Sequence, residues 1–152
     1  RIAKVEEWTR KMESEIGRQC IPVWHKGRGV EYWKQMCKYY KYIAVGGLVF
    51  HVKKQEYGLI KKLVDYAYNN GVKVHGLGFT KTKLLPEYKF YSVDSASWSI
   101  SAARGQQIYF FENGTMKARP LEKNNRKVIL DKLIAHNMKE WVKFQKYMDR
   151  GI

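Results

Sequence analysis

The sequence predicts an α/β protein built on parallel strands, and three observations predict it. Short apolar runs of strand type, Cys20 to Trp24, Tyr42 to Val45, Val72 to Leu77 and Phe90 to Asp94, alternate with segments of helical period over 30–41 and 53–69. The connections between them are short, the signature of a parallel sheet or barrel. Each strand run also closes on residues suited to a site: His25 to Gly29, Gly46-Gly47, His75 to Gly78, and Asp94. Four such βα units make half of an eight-fold TIM barrel.

Residues 2–17 read as an amphipathic helix with Ile2, Val5, Trp8, Met12 and Ile16 on one stripe, closed by Gly17. It begins at once, without a capping residue, behind an Arg1 that is not a methionine. That start points to the C-terminal part of something longer. In the helix over 30–41, Tyr32, Trp33, Met36, Cys37 and Tyr40 share a stripe. The helix over 53–69 turns Tyr57, Ile60, Leu63, Val64 and Ala67 inward and stops at Asn70-Gly71. Thr80 to Tyr88 reads as a short helix or turn with Pro86 near its end. Tyr91 and Val93 alternate with Ser92 and Asp94, as a fourth strand requires. After Gly105 the pattern changes. Asn113-Gly114 between two strand-like runs is a strong hairpin signal. Residues 122–149 form a long helix whose apolar positions stand among basic ones. The domain division expected is 1–120 for the half barrel and 121–152 for a helical extension packing on it.

A length of 152 residues suffices for one domain with a real core, and 45% hydrophobic and 14% aromatic residues exclude a disordered chain. Net charge is +15, from 29 Lys+Arg against 14 Asp+Glu. The excess is spread: residues 1–76 hold 15 basic and 7 acidic residues, and residues 77–152 hold 14 and 7. A spread excess favours a polyanionic partner, most simply nucleic acid. The plain alternative is a charge kept for solubility. Cys20 and Cys37 form neither a CxxC pair nor a cluster, so no zinc site or disulfide framework is expected, and a cytoplasmic setting fits. The longest apolar run, Tyr42 to Phe50, is too short to span a bilayer.

Asp94 stands out by position. A carboxylate at the C-terminal end of a buried strand is expensive to keep charged unless something uses it. It can serve as nucleophile, base or metal ligand, or simply cap the turn that follows. A metal is not expected, since no second acid or histidine lies nearby in sequence. Gly46-Gly47 would let a flat or anionic ligand approach the backbone, or would merely form a tight turn at positive φ. His75 and Gly76 pose the same choice between a site and a satisfied core position. Gly27-Arg28-Gly29 would suit a phosphate, which leaves room for a barrel enzyme acting on a small phosphorylated substrate.

Three segments together resemble the C-terminal half of the tRNA-guanine transglycosylase (queuine tRNA-ribosyltransferase) family. The chain is most similar to its divergent phage and bacterial members that insert 7-deazaguanines into DNA. Tyr42 to Leu48 resembles the family's sixth strand, Val74 to Gly78 the seventh, and Tyr91 to Ser95 followed by Ala103-Arg104-Gly105 the eighth. The resemblance spans roughly residues 20–118. It implies Asp94 as a catalytic nucleophile and Gly46, Gly47, Leu48, His75 and Gly76 against the base. Arg28, Arg104, Lys81 and Lys83 would contact nucleic acid. It implies a pentosyltransferase exchanging guanine for a 7-deazaguanine in DNA or tRNA. The N-terminal half of the barrel, in the same or another chain, would be a further partner. The family's zinc motif is missing after the hairpin, so no cofactor is expected. His25-Lys26-Gly27 stands where the family often carries a glutamine that binds the base. A non-catalytic nucleic-acid-binding module on the same fold is the alternative.

Overall fold

The computed structural model describes residues 2–48, 56–79, 81–103, 107–121 and 130–150. Among the described residues five α-helices and six strands follow in order: α1 (Ile2–Ile16), β1 (Val23–Trp24), α2 (Gly29–Tyr39), β2 (Tyr42–Val45), α3 (Tyr57–Asn69), β3 (Lys73–Gly76), β4 (Ser92–Val93), α4 (Ser97–Ala103), β5 (Gln107–Glu112), β6 (Thr115–Pro120) and α5 (Leu130–Asp149). The chain divides into two compact units. One comprises Arg1–Gly78 with Tyr88–Val93, the other Phe79–Glu87 with Asp94–Ile152. Within the second unit the hairpin groups with α4 and α5.

The first unit is a four-stranded parallel sheet in the order β1-β2-β3-β4, each strand beside its predecessor in sequence. The alternation in Tyr42 to Val45 explains its two faces. Ile43 and Val45, with Val74 of β3, are fully buried on one face, where Ile60, Leu63, Val64 and Ala67 of α3 and Trp33 and Met36 of α2 complete the core. Each large apolar side chain so buried contributes about 1.5–3 kcal/mol. Two buried indoles stay satisfied: Trp33 Nε1 donates to the Leu63 carbonyl at 2.9 Å and Trp24 Nε1 to that of Gly29 at 2.9 Å. Their rings meet edge to face at 5.6 Å. The register sets Ala44, His75 and Ser92 side by side on the opposite face.

Two expected strands are shorter in the structure. Ladder pairing reaches only Val23–Trp24 of the run from Cys20 and only Ser92–Val93 of the run from Phe90. The α1 helix forms as its period requires, yet buries none of its residues. Glu6 accepts from Tyr32 Oη at 2.8 Å and Glu13 from the Cys20 amide at 2.8 Å, while the apolar stripe is exposed.

In the second unit, Asn113 at φ 50° and Gly114 at φ 75° form the two-residue turn that joins β5 and β6. The free edge of β5 is held by side chains of α5. Asn137 Oδ1 accepts from the Tyr109 amide at 2.9 Å, and its Nδ2 donates to the carbonyls of Trp98 and Gln107, both at 3.2 Å. Glu140 accepts from the Phe111 amide at 2.8 Å. Helix α4 was not foreseen in the Ser/Ala-rich run. It starts where Ser95 Oγ accepts from the Ser97 amide at 3.1 Å. The expected turn over 80–88 contains a single 3-10 turn at Leu85–Glu87, while Thr80 lies outside the described residues. The starts of the two long predicted helices, 53–55 and 122–129, also lie outside them.

Candidate functional site

Of the sequence-predicted residues, Gly46, Gly47, Gly76 and Asp94 lie at or just past strand ends and Arg28 in the turn after β1, while His75 lies within β3 and Lys81 and Lys83 beyond it. At the C-terminal ends of β1 and β2 lies a cavity of about 260 Å³ walled by Trp24, His25, Lys26, Gly46, Gly47 and Ile60. Its floor depends on the absence of a side chain at residue 46. A Cβ there would lie 2.5 Å from Cε1 of His25 and 2.9 Å from Cγ1 of Val23. The imidazole of His25 thus lies against the Gly46 backbone. The Gly46 amide is already donated to the Trp24 carbonyl at 2.8 Å, so it supports the β1–β2 junction and not a ligand. Gly47 follows at φ 79°, a conformation that favours glycine. The glycine pair thus combines a tight turn at Gly47 with a close approach of the protein's own His25 to Gly46. Leu48 is buried.

The loop after β1 is a 3-10 turn over Lys26–Arg28. The Arg28 amide donates to the His25 carbonyl at 2.9 Å, and the Gly29 amide to that of Lys26. Those two N–H groups are spent inside the turn. The Arg28 guanidinium donates to Tyr32 Oη at 2.8 Å and lies 5.0 Å from that ring. Burial, and then the hydrogen bond to Glu6, raise the Tyr32 phenol above its ordinary value. Lys26 forms an ion pair with Glu56 beside the cavity.

His75 lies within β3 and is half-buried. Its Nδ1 and the Tyr42 hydroxyl both meet Ser92 Oγ, each at 2.7 Å, so one serine joins three strands on the sheet face away from α3. Gly76 is packed under Phe90 and Val93, whose atoms would lie 3.1 and 3.2 Å from a Cβ there. Asp94 is exposed and is the first residue after β4. Lys81 and Lys83 are exposed around a turn closed by the Leu84 amide on the Lys81 carbonyl at 2.9 Å. Arg104 lies outside the described residues.

Sequence reasoning passed over Trp24 and Ile60 as cavity walls and Ser92 as the bridge. Ser92 was legible in principle, since strand alternation puts it opposite Tyr91 and Val93. Burial pushes the Cys37 thiol up to about 11, so it stays protonated at neutral pH and offers no nucleophile. Among the described residues no group of three or more His, Cys, Asp or Glu is placed to hold a metal ion, and no helix is long and apolar enough to cross a membrane. Comparison of the chain with protein-family models, curated proteins and solved structures finds no match.

Proposed function

We propose that the chain is the C-terminal half of a (β/α)8 barrel of transglycosylase type, exchanging guanine for a 7-deazaguanine in nucleic acid. The observation that carries this reading is the unreversed strand order β1-β2-β3-β4 with site residues at the strand ends. In a doubly wound sheet the order reverses at a switch point, whereas in a barrel each strand lies beside its predecessor. A glycine-floored cavity lies at the ends of β1 and β2, and an exposed carboxylate follows β4 by one residue. The cavity is smaller than the roughly 300–1,000 Å³ of a drug-sized site. It suits one flat ring system better than a whole nucleotide. Trp24 and the His25 imidazole supply its aromatic wall.

The chemistry balances without redox or phosphate steps. One oxygen of the Asp94 carboxylate attacks the sugar C1′, the C1′–N9 bond breaks, and guanine leaves with its bonding pair and takes up a proton. The covalent glycosyl ester is then opened at C1′ by the corresponding nitrogen of the incoming 7-deazaguanine. That base gives up its proton, and the carboxylate is restored. The target base must first leave its stack, at a cost of a few kcal/mol. The remaining barrel strands, from the same or another chain, would supply the acid–base groups.

The test is Asp94→Asn in the complete enzyme, with labelled guanine displacement and isolation of the protein–nucleic acid adduct as readouts. Loss of both, with nucleic-acid affinity kept, is the expected result. Unchanged turnover rejects the nucleophile. Wild-type binding without adduct or exchange, even with the other barrel half supplied, replaces this reading with a non-catalytic nucleic-acid-binding module.

A further inference from the structure

The helix α5 carries four lysines, Lys132, Lys139, Lys143 and Lys146, and Arg150 follows one residue past its end. Their spacings of seven, four, three and four residues match the helical repeat. At 3.6 residues per turn all five fall within a sector about 60° wide. His136 lies at its margin. All five are exposed. The Arg150 amide still bonds to the Tyr147 carbonyl at 3.3 Å, so the backbone keeps turning to the last cation. From Lys132 to Lys146 the row is about 21 Å long at 1.5 Å per residue. A separate face of the helix is occupied: Leu133, Asn137, Glu140 and Phe144 are buried against the hairpin and α4. The row is thus held straight and turned outward by the packing of its own unit.

Two features separate it from an ordinary solvated face. Exposed faces usually mix signs, and the acids of α5 lie elsewhere: Asp131 and Asp149 off the row, and Glu140 buried. Among the described residues only Lys143 of the five has an ion pair, with Glu140, and that carboxylate also accepts from the Phe111 amide. The hairpin differs, since Lys117 and Arg119 are both paired with Glu112. Like charges in consecutive turns repel one another, and an outside polyanion relieves that repulsion.

We infer that the row Lys132–Lys139–Lys143–Lys146–Arg150 is a docking surface for the sugar-phosphate backbone of a nucleic acid. Regularly spaced cations on a straight rod match the regular charge of a phosphate backbone, and the chain's +15 charge provides long-range attraction. An anionic lipid surface fits less well. The exposed apolar side chains of α5, Leu130, Met138, Val142 and Tyr147, are scattered around the helix and form no single stripe that an interfacial helix would insert. The row gives the proposed base exchange its partner, but it does not depend on Asp94 or on the cavity.

The test compares two triple variants of equal net charge in the full chain. Lys132→Gln/Lys139→Gln/Lys146→Gln removes the row. Lys11→Gln/Lys38→Gln/Lys62→Gln removes three exposed lysines of the first unit. Binding to a short labelled DNA duplex and to a structured RNA is measured by fluorescence anisotropy across a salt series. The row variant should bind at least about ten-fold more weakly, with the slope of log K against log salt shallower by about 2.7. The control should stay near wild type, and Lys→Arg changes at the three row positions should keep binding. Equal losses in the two triples would overturn the inference in favour of diffuse charge. It would also fall if wild type bound neither nucleic acid, or bound anionic vesicles through the row instead. Asp94→Asn should leave this binding intact, so failure of base exchange and failure of docking are read separately.

Discussion

Replacing Asn137 by Ala tests how the second unit holds together. Asn137 is fully buried and makes three hydrogen bonds from one amide group: one accepted from Tyr109 and two donated, to Trp98 and Gln107. Alanine cannot replace any of them. The Tyr109 amide lies at the β5 edge and would be left without its acceptor, which costs about 1–3 kcal/mol. The two bonds at 3.2 Å are longer, and together their loss adds about 1 kcal/mol. A total of about 2–4 kcal/mol is expected, against a change within about 0.5 kcal/mol for Lys139→Ala on the exposed face of the same helix. Urea denaturation followed by circular dichroism reads the global loss. Amide hydrogen exchange reads the cause: protection of Tyr109 should fall while Phe111, held by Glu140, keeps more of its own. An Asn137→Ala protein as stable as Lys139→Ala, with Tyr109 still protected, would refute the assignment of this side chain to the strand edge.

Two further outcomes follow from the same geometry. Glu140 has its carboxyl pKa held below the ordinary value. Burial raises it, but the bonds from Lys143 and from the Phe111 amide outweigh that together with nearby positive charge. A depressed folded-state pKa means stability present above the unfolded value of about 4.3 and lost as pH falls through the lower folded one. Glu140→Gln should therefore be less stable than wild type at neutral pH, and the gap should close below about pH 4 in paired urea titrations; a gap independent of pH would contradict the linkage. Gly46→Ala must move His25 or Val23, since its Cβ would meet them at 2.5 and 2.9 Å. A loss of about 1–3 kcal/mol and altered His25 ring resonances by NMR are expected, and unchanged resonances would place the imidazole elsewhere.

Much of the architecture was legible from local pattern alone. The short apolar run Tyr42 to Val45 forms a strand and the 3.6-period run Tyr57 to Asn69 forms a helix, because both readings need only backbone geometry over a few residues. Asn113-Gly114 needed no context either, since a two-residue turn asks for positive φ and these residue types accept it. The candidate site was legible only as a set of strand ends. Gly46 was visible as a glycine, but not the reason for it. That reason is an imidazole from His25, brought over it by the β1–β2 pairing.

What local pattern determined by itself was the alternation of strand and helix, the hairpin, and the charge the chain carries. Tertiary structure decided the rest. It confined ladder pairing to two residues each in β1 and β4, left the α1 stripe exposed, and grouped the hairpin with α5. It also gave Asn137 and Glu140, two polar residues within a buried helix face, the edge of β5 to satisfy. The physical reason is the range of the interactions. Backbone preference acts between near neighbours in sequence, whereas a strand edge acquires partners only once a helix some thirty residues further on has packed against it.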